Sequence, residues 1–528
     1  MERVLHELVD FPLWTLFLTK NCPLYSPPVR TQATDASTRL GEPRYIRPRP
    51  FVAFDFDIHD IARLNEEPIL QLQKPMLEYA KVDHISAYGR PLWWTYHEKP
   101  YEDIHLFVDS KLMAGQSFNP RVLDHAFAAV SFRVLLEPTW SDILSWQLAL
   151  TAVELHLRLV VSIDIERGMI RTASGSEPIV ADAAQHQLCR TPRSWQKALR
   201  TLWDDLFSQG RIAKGEKGEL LARILLVLAR DMTVRRVDLP HAIGSAPVGD
   251  PGLKDEYTVP SCFPVTAWEL LTALLGDKLE ETLDCAARSS ERSNRVSKPY
   301  FEDAKIDFKA FLKKGYINLN HMTTTSMPLS EGCTNFLNLL LRRGAAVQLG
   351  SGWSYWDILI PMYVGDPSEP FDPFKVTAIA IQVNKRSQPE AVFEGKDLER
   401  FFFVKDAHYV HLHLDLGQES ASGVSKSRFY RSETSVVLDL HVEGHEKRTY
   451  PPLGHFGVDS TAKKMMEEST RLSEDEHILG DALKGCNAYT GKPYDMFSRE
   501  ICKELAKASD KDTEDISDES GSLHMEQD

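Results

Sequence analysis

The segment that most constrains this chain runs from Ala345 to Arg386, AAVQLGSGWSYWDILIPMYVGDPSEPFDPFKVTAIAIQVNKR. Its pattern predicts three consecutive strands. Ala345 to Leu349 is a short apolar run closed by a Gly-Ser-Gly turn. Trp356 to Val364 follows, apolar apart from Asp357 near its start, and a Pro/Asp-rich connection leads to Val376 to Val383. That last run is almost wholly aliphatic and ends in Gln-Val-Asn-Lys, which suits a strand buried on both faces. A carboxylate where one strand begins and a polar cluster where its neighbour ends can meet at one edge of a sheet.

Far upstream, GEKGELLARILLVLARD places Glu219 at the start of a largely apolar helix. Glu219, Asp357 and Gln382 with a lysine close by resemble, in that order, the PD-(D/E)xK nuclease signature in its glutamine variant. The chain resembles the restriction-endonuclease-like domains of fungal Crinkler-type proteins, which read roughly GE-x-x-AR, then DI-x-IP, then an IQVK-like strand. YGRPLWW at Tyr88 to Trp94 and SEPIVADAA at Ser176 to Ala184 extend the likeness, which spans roughly residues 85 to 420.

The resemblance implies an α/β (α+β) fold with an α-β-β-β-α-β core over about 191–450, interrupted by a large helical insertion at about 232–342. An N-terminal segment and linker, 1–45, and a mainly helical region, 46–190, are expected ahead of that core, and a helix and acidic disordered tail, 451–528, after it. It also implies Mg²⁺ or Mn²⁺ held by Glu219, Asp357 and Gln382, with Lys385 as the catalytic amine, acting on nucleic-acid phosphodiesters. Arg223, Arg342, Arg343 and Arg386 are the candidate phosphate contacts. A catalytically inactive module that binds nucleic acid or protein is the alternative. Larger relatives carry a P-loop ATPase ahead of this segment. Here Gly210 to Gly215 is followed by Glu216-Lys217 rather than Lys-Ser/Thr, so an ATPase partner would act in trans. One departure stands out: the family lysine falls two residues after the Glu or Gln, and that position is Asn384, with Lys385 one place later. A one-residue shift in a regular strand turns a side chain to the opposite face, so only a bulge or an early strand end returns Lys385 to the site. Arg386 regains the Gln382 face.

The net charge of −15 argues against a uniformly basic nucleic-acid binder, but it is unevenly spread. From Lys503 to Asp528 the balance is −6, and from Arg190 to Pro240 it is +5. A local basic surface is compatible with an acidic tail. The seven cysteines are scattered with no C-x-x-C pair, which points to a reducing compartment and away from cysteine-held zinc. No apolar run approaches the roughly 20 residues that span a bilayer, so no membrane association is expected and the protein is expected inside the cell, in nucleus or cytoplasm.

Two further features invite other chemistry. FVAFDFDIHD, Phe51 to Asp60, carries the Asp55-x-Asp57 pattern of haloacid-dehalogenase-type phosphatases, but His59 stands where a hydroxyl or small residue belongs. A strand ending in solvated acids is the plainer reading. On the strand His408 to Leu416, His411, His413 and Asp415 share one face. Three such residues on one strand rarely converge on one ion, so a half-exposed strand face is expected there.

Overall fold

A computed structural model gives the fold. It describes residues 57, 59–60, 63, 74–99, 103–139, 142–164, 169–191, 193–212, 218–236, 262–276, 279–280, 283, 309–325, 334–349, 356–384, 409–417, 423–431 and 436–467. By its internal contacts the chain divides into residues 1–50 with 163–170, and a second unit that holds all the rest. The large sheet and the helices that pack on it lie in the second unit.

The aliphatic runs form the strands their composition predicts. They are β6 (Ala345–Leu349), β7 (Ile358–Val364), β8 (Val376–Asn384) and β9 (Tyr409–Asp415). β6 and β7 are antiparallel, as are β7 and β8, whereas β8 and β9 run parallel. Beyond β9 the sheet continues through β11 (Val436–Glu443), parallel to β9, to β10 (Gly423–Arg431), antiparallel to β11. On the other flank, β3 (Val265–Thr266) and β4 (Gly315–Ile317) extend the edge at one end of β7, and β5 (His321–Thr325) pairs with β6. A separate two-stranded sheet joins β1 (Leu159–Asp164) to β2 (Met169–Ala173).

Alternation along the central strands divides the sheet into two apolar faces. Ile358, Ile360, Ile379, Ile381, Val383, Leu412, Leu414, Leu440 and Val442 point into the larger core. There they meet the helices α1 (Leu123–Val134), α2 (Pro178–Cys189), α3 (Ser194–Leu202), α4 (Glu219–Arg236) and α5 (Ala267–Leu275). Leu359, Ala378, Ala380, Tyr409 and Val437 point the opposite way, against Leu337, Leu340 and Leu341 of α6 (Thr334–Arg343). The result is a mixed α+β arrangement with helices on both faces of the sheet.

The sequence expectations differ from this in two places. The segment expected to be a helical insertion also supplies β3, β4 and β5 to the sheet, with α5 entered through a capping box between Thr266 and Glu269. The helical region expected to precede a separate core shares that core, since α1 and α2 bury the same apolar cluster as β8 and β9. The helix expected at Lys396 to Phe403 lies outside the described residues.

Candidate functional site

Asp357 sits one residue ahead of β7, and the register Ile358↔Ile381 places it opposite Gln382 on β8. Three hydrogen bonds fix it there. Asp357 N–H donates to Ile381 O (2.9 Å), Leu349 N–H donates to Asp357 O (2.8 Å), and Val383 N–H donates to Asp357 Oδ2 (2.7 Å). The fold thus brings together two of the three expected ligands, carboxylate beside amide.

Glu219 opens α4 on the larger-core side of the sheet. It comes near the same end, because a Cβ on the preceding Gly218 would lie 3.2 Å from Leu416 Cδ1, just past β9. Glu219 is not part of the one group of described ionisable ligands that lies within reach of a single ion.

β8 runs without a bulge through its end. Gln382 pairs with His413, Val383 with Leu414, and Asn384 with Asp415. Asn384 therefore shares the face of Gln382 and holds the position that the sequence resemblance would give to a lysine. Lys385 and Arg386 lie outside the described residues.

The other arginines assigned to phosphate contact are interior side chains. Arg342 is 2% exposed and pairs with Asp60 at 3.1 Å, and Arg343 is 5% exposed and pairs with Asp57. Arg223 is also buried, and that burial lowers its guanidinium to about 10 against the pull of Glu137 and Glu219. As placed, none of the three offers its charge to solvent. Burial of Asp57 likewise corrects the expectation of solvated acids at that strand end. Its carboxylate takes Gly89 N–H (2.6 Å) and the Arg343 guanidinium, and burial raises its pKa despite that partner.

The two flanking phrases that support the resemblance meet each other. Glu177, fully buried, accepts Trp93 Nε1–H (2.7 Å), Arg90 N–H (3.1 Å) and the Arg90 guanidinium.

A second polar group was not foreseen as a site. The parallel register puts His411 beside Asp439 and His413 beside His441, all on the face that carries Gln382. His413 Nε2 lies 3.1 Å and His411 Nδ1 3.3 Å from Asp439 Oδ1, while His441 Nε2 is 3.4 Å from Oδ2. His413 and His441 stack with ring centres 4.0 Å apart. Burial holds the His413 imidazole down at about 4, against the attraction of Asp439. Burial would raise Asp439, but the three imidazoles around it outweigh that and keep its carboxyl well below the usual range. Contrary to a half-exposed strand face, His411 and Asp439 are buried. Asp415 is not the third member. It stands one row on, beside Glu443, and its pKa is raised by burial and then by Glu443. The legible signal was a pair of matched alternations, H-x-H-x-D in β9 and D-x-H-x-E in β11.

No family model, curated protein or solved structure matches this chain. Among the described residues no helix is long and apolar enough to cross a membrane.

Proposed function

We propose that this chain is a nuclease-like protein of PD-(D/E)xK type that acts on nucleic-acid phosphodiesters with Mg²⁺ or Mn²⁺. The carrying observation is the placement of Asp357 against Gln382 at the end of the central strands, with one carboxylate oxygen committed to Val383 N–H. Along the chain α4 precedes β6, β7, β8 and β9, with β3, α5, β4, β5 and α6 between α4 and β6, and the reading takes α4 and these four strands as the elements of the implied core.

Carboxylate and amide oxygens are hard ligands of the kind Mg²⁺ and Mn²⁺ prefer, so the donor chemistry suits the ion. When bound, such an ion lowers the pKa of water and withdraws charge from a phosphoryl group. Asp357 Oδ1 and the Gln382 carbonyl are the groups that would hold it, whereas Glu219 opens α4 on the opposite face of the sheet, the one into which Ile381 and Val383 point, and would have to reach the ion around the strand ends. Gln382 in place of a glutamate removes one negative charge, which weakens the hold on a divalent cation. The amine that orients the attacking water would be Lys385.

The test is cleavage of plasmid DNA and of single-stranded RNA with Mg²⁺ or Mn²⁺, comparing wild type with Asp357→Ala. Cation-dependent cleavage that is lost in Asp357→Ala supports the reading; identical rates in the two proteins overturn it.

A specific observation favours a second reading. With β8 regular through Asn384, the catalytic position holds a neutral amide. On that reading the chain is an inactive nuclease-fold module that binds nucleic acid or protein. Salt-dependent nucleic-acid binding without cleavage would identify it.

A further inference from the structure

We propose that His411, His413 and Asp439 form a transition-metal site, that the ion it takes is Zn²⁺, and that His441 is its outer partner, holding the second oxygen of Asp439. This inference does not rest on the nuclease reading, which concerns hard-oxygen ligands and Mg²⁺.

Geometry carries it. One ligand atom from each of the three residues lies within 4.8 Å of the others, the only such group among the described residues. Two ligands bound to Zn²⁺ at roughly 2.0–2.1 Å with a tetrahedral angle between them stand about 3.3–3.4 Å apart. The two imidazole nitrogens lie 3.1 and 3.3 Å from Asp439 Oδ1, close to that spacing. A histidinium–carboxylate bridge predicts something else, namely aligned contacts of about 2.7–2.9 Å. The Asp439 oxygens and His413 Nε2 meet one another only through imidazole contacts of 3.1–3.4 Å that lack hydrogen-bond alignment. Buried polar atoms without hydrogen bonds are costly, and a carboxylate set among imidazoles at 1% exposure is costlier still. A divalent cation between them would remove both costs.

The chemistry selects the metal. Imidazole favours Zn²⁺, Ni²⁺ and Cu²⁺ over Mg²⁺ and Ca²⁺, and two imidazoles with one carboxylate form a familiar zinc donor set. Neighbouring parallel strands hold the donors, which fixes their separation far better than a loop does. Three protein ligands leave a fourth position open. His413 and His441 are the more exposed members, at 11% and 19% of their side chains, so solvent would reach the ion past those rings. The scattered cysteines argued only against thiolate-held zinc, and this set contains no thiolate.

The experiment uses the full chain, stripped with a chelator and then titrated with Zn²⁺ against a chromophoric competitor. One Zn²⁺ per chain is expected. His413→Ala and Asp439→Asn should each weaken binding by about 100-fold or more. His441→Gln, which touches only the outer partner, should weaken it about 10–100-fold. Asp357→Ala should leave Zn²⁺ affinity within about twofold, which separates this site from the proposed Mg²⁺ site. Wild-type affinity in His413→Ala, or equal losses in Asp357→Ala and His413→Ala, would overturn the proposal. If the variants fail to fold, Co²⁺ substitution in the unaltered chain decides. Intense visible bands of low-coordinate cobalt support the site; a pale octahedral spectrum, or no uptake, overturns it.

Discussion

At the scale of single residues, the instructive side chains are Arg342 and Arg343. Their sequence, two adjacent arginines at the end of an amphipathic helix, reads as a basic surface patch. Instead each guanidinium reaches a carboxylate more than 280 positions away in the chain, Asp60 and Asp57. Nothing in a run of two arginines reveals a partner at that distance, so the sequence could not tell a buried pair from a solvated one. Removing one half of a buried pair costs about 3–5 kcal/mol, because the other charge stays desolvated. Arg343→Met should therefore lower unfolding free energy by about that amount in a urea titration. The double change Arg343→Met with Asp57→Leu should lose clearly less than the two single losses summed. Strict additivity would show that the pair is not coupled.

At the scale of elements, β6 to β9 were legible because strands buried on both faces declare themselves as unbroken aliphatic runs. β6 falls where its sequence predicts it, and β7, β8 and β9 differ by a residue or two at their ends. Short strands are less legible: Tyr316 to Met322 reads as one extended piece that overlaps the end of β4 and the start of β5, and β3 is not read as a strand at all. β3, β4 and β5 contain Thr266, Tyr316, His321 and a threonine run, and they become strands only because a neighbour completes their hydrogen bonding. The imidazole–carboxylate group was half legible for the same reason. His411 and His413 were visible on one strand, but Asp439 joins them only through a parallel register that sequence spacing does not encode. The regularity of β8 gives the sharpest prediction at this scale. Asn384→Lys places an ammonium on the Gln382 face, where one such group is worth about 10²–10³ in rate. If the metal ligands are intact and the chain is impaired for want of that amine, plasmid cleavage should rise by a comparable factor. No change in rate would show that the missing amine is not what limits the chain.

At the scale of the whole molecule, the helices ahead of the expected core and the sheet itself bury one continuous apolar cluster. A fragment beginning at residue 191 would lose α1 and α2, and with them the partners of β5 and α4. It should fail to give a cooperative melt, and a well-folded fragment would show that the shared core is dispensable. The interior also holds imidazoles that stay neutral. Burial, then Arg343 and Arg133, lowers His321 to about 3. His84 is likewise lowered well below its usual value by burial and by Arg342. Below about pH 6.5 the unfolded chain takes up protons at these positions while the folded chain does not, so stability falls as pH drops. The urea midpoint should decrease from pH 7 to pH 5, above the range where most carboxylates titrate. His321→Gln should flatten that slope if it folds; a slope unchanged in a folded variant would remove His321 from the account.

The Glu177 clamp has a bearing on how such a sequence can drift. A Cβ added at Gly175 would lie 2.6 Å from Glu177 Oε1, and one at Gly89 would collide with Glu177 Cγ, with Gly89 further held at φ +85°. Neither glycine can change while Glu177 keeps its place between Arg90 and Trp93. Once Glu177 is shortened, the space at Gly175 opens, although the backbone of Gly89 still excludes most residues. The order of substitutions therefore matters: Gly175→Ala is harmful first and tolerated second. The same alanine is thus expected to be destabilising in the present chain and close to neutral on a Glu177→Ala background, a dependence on history that paired thermal melts would expose.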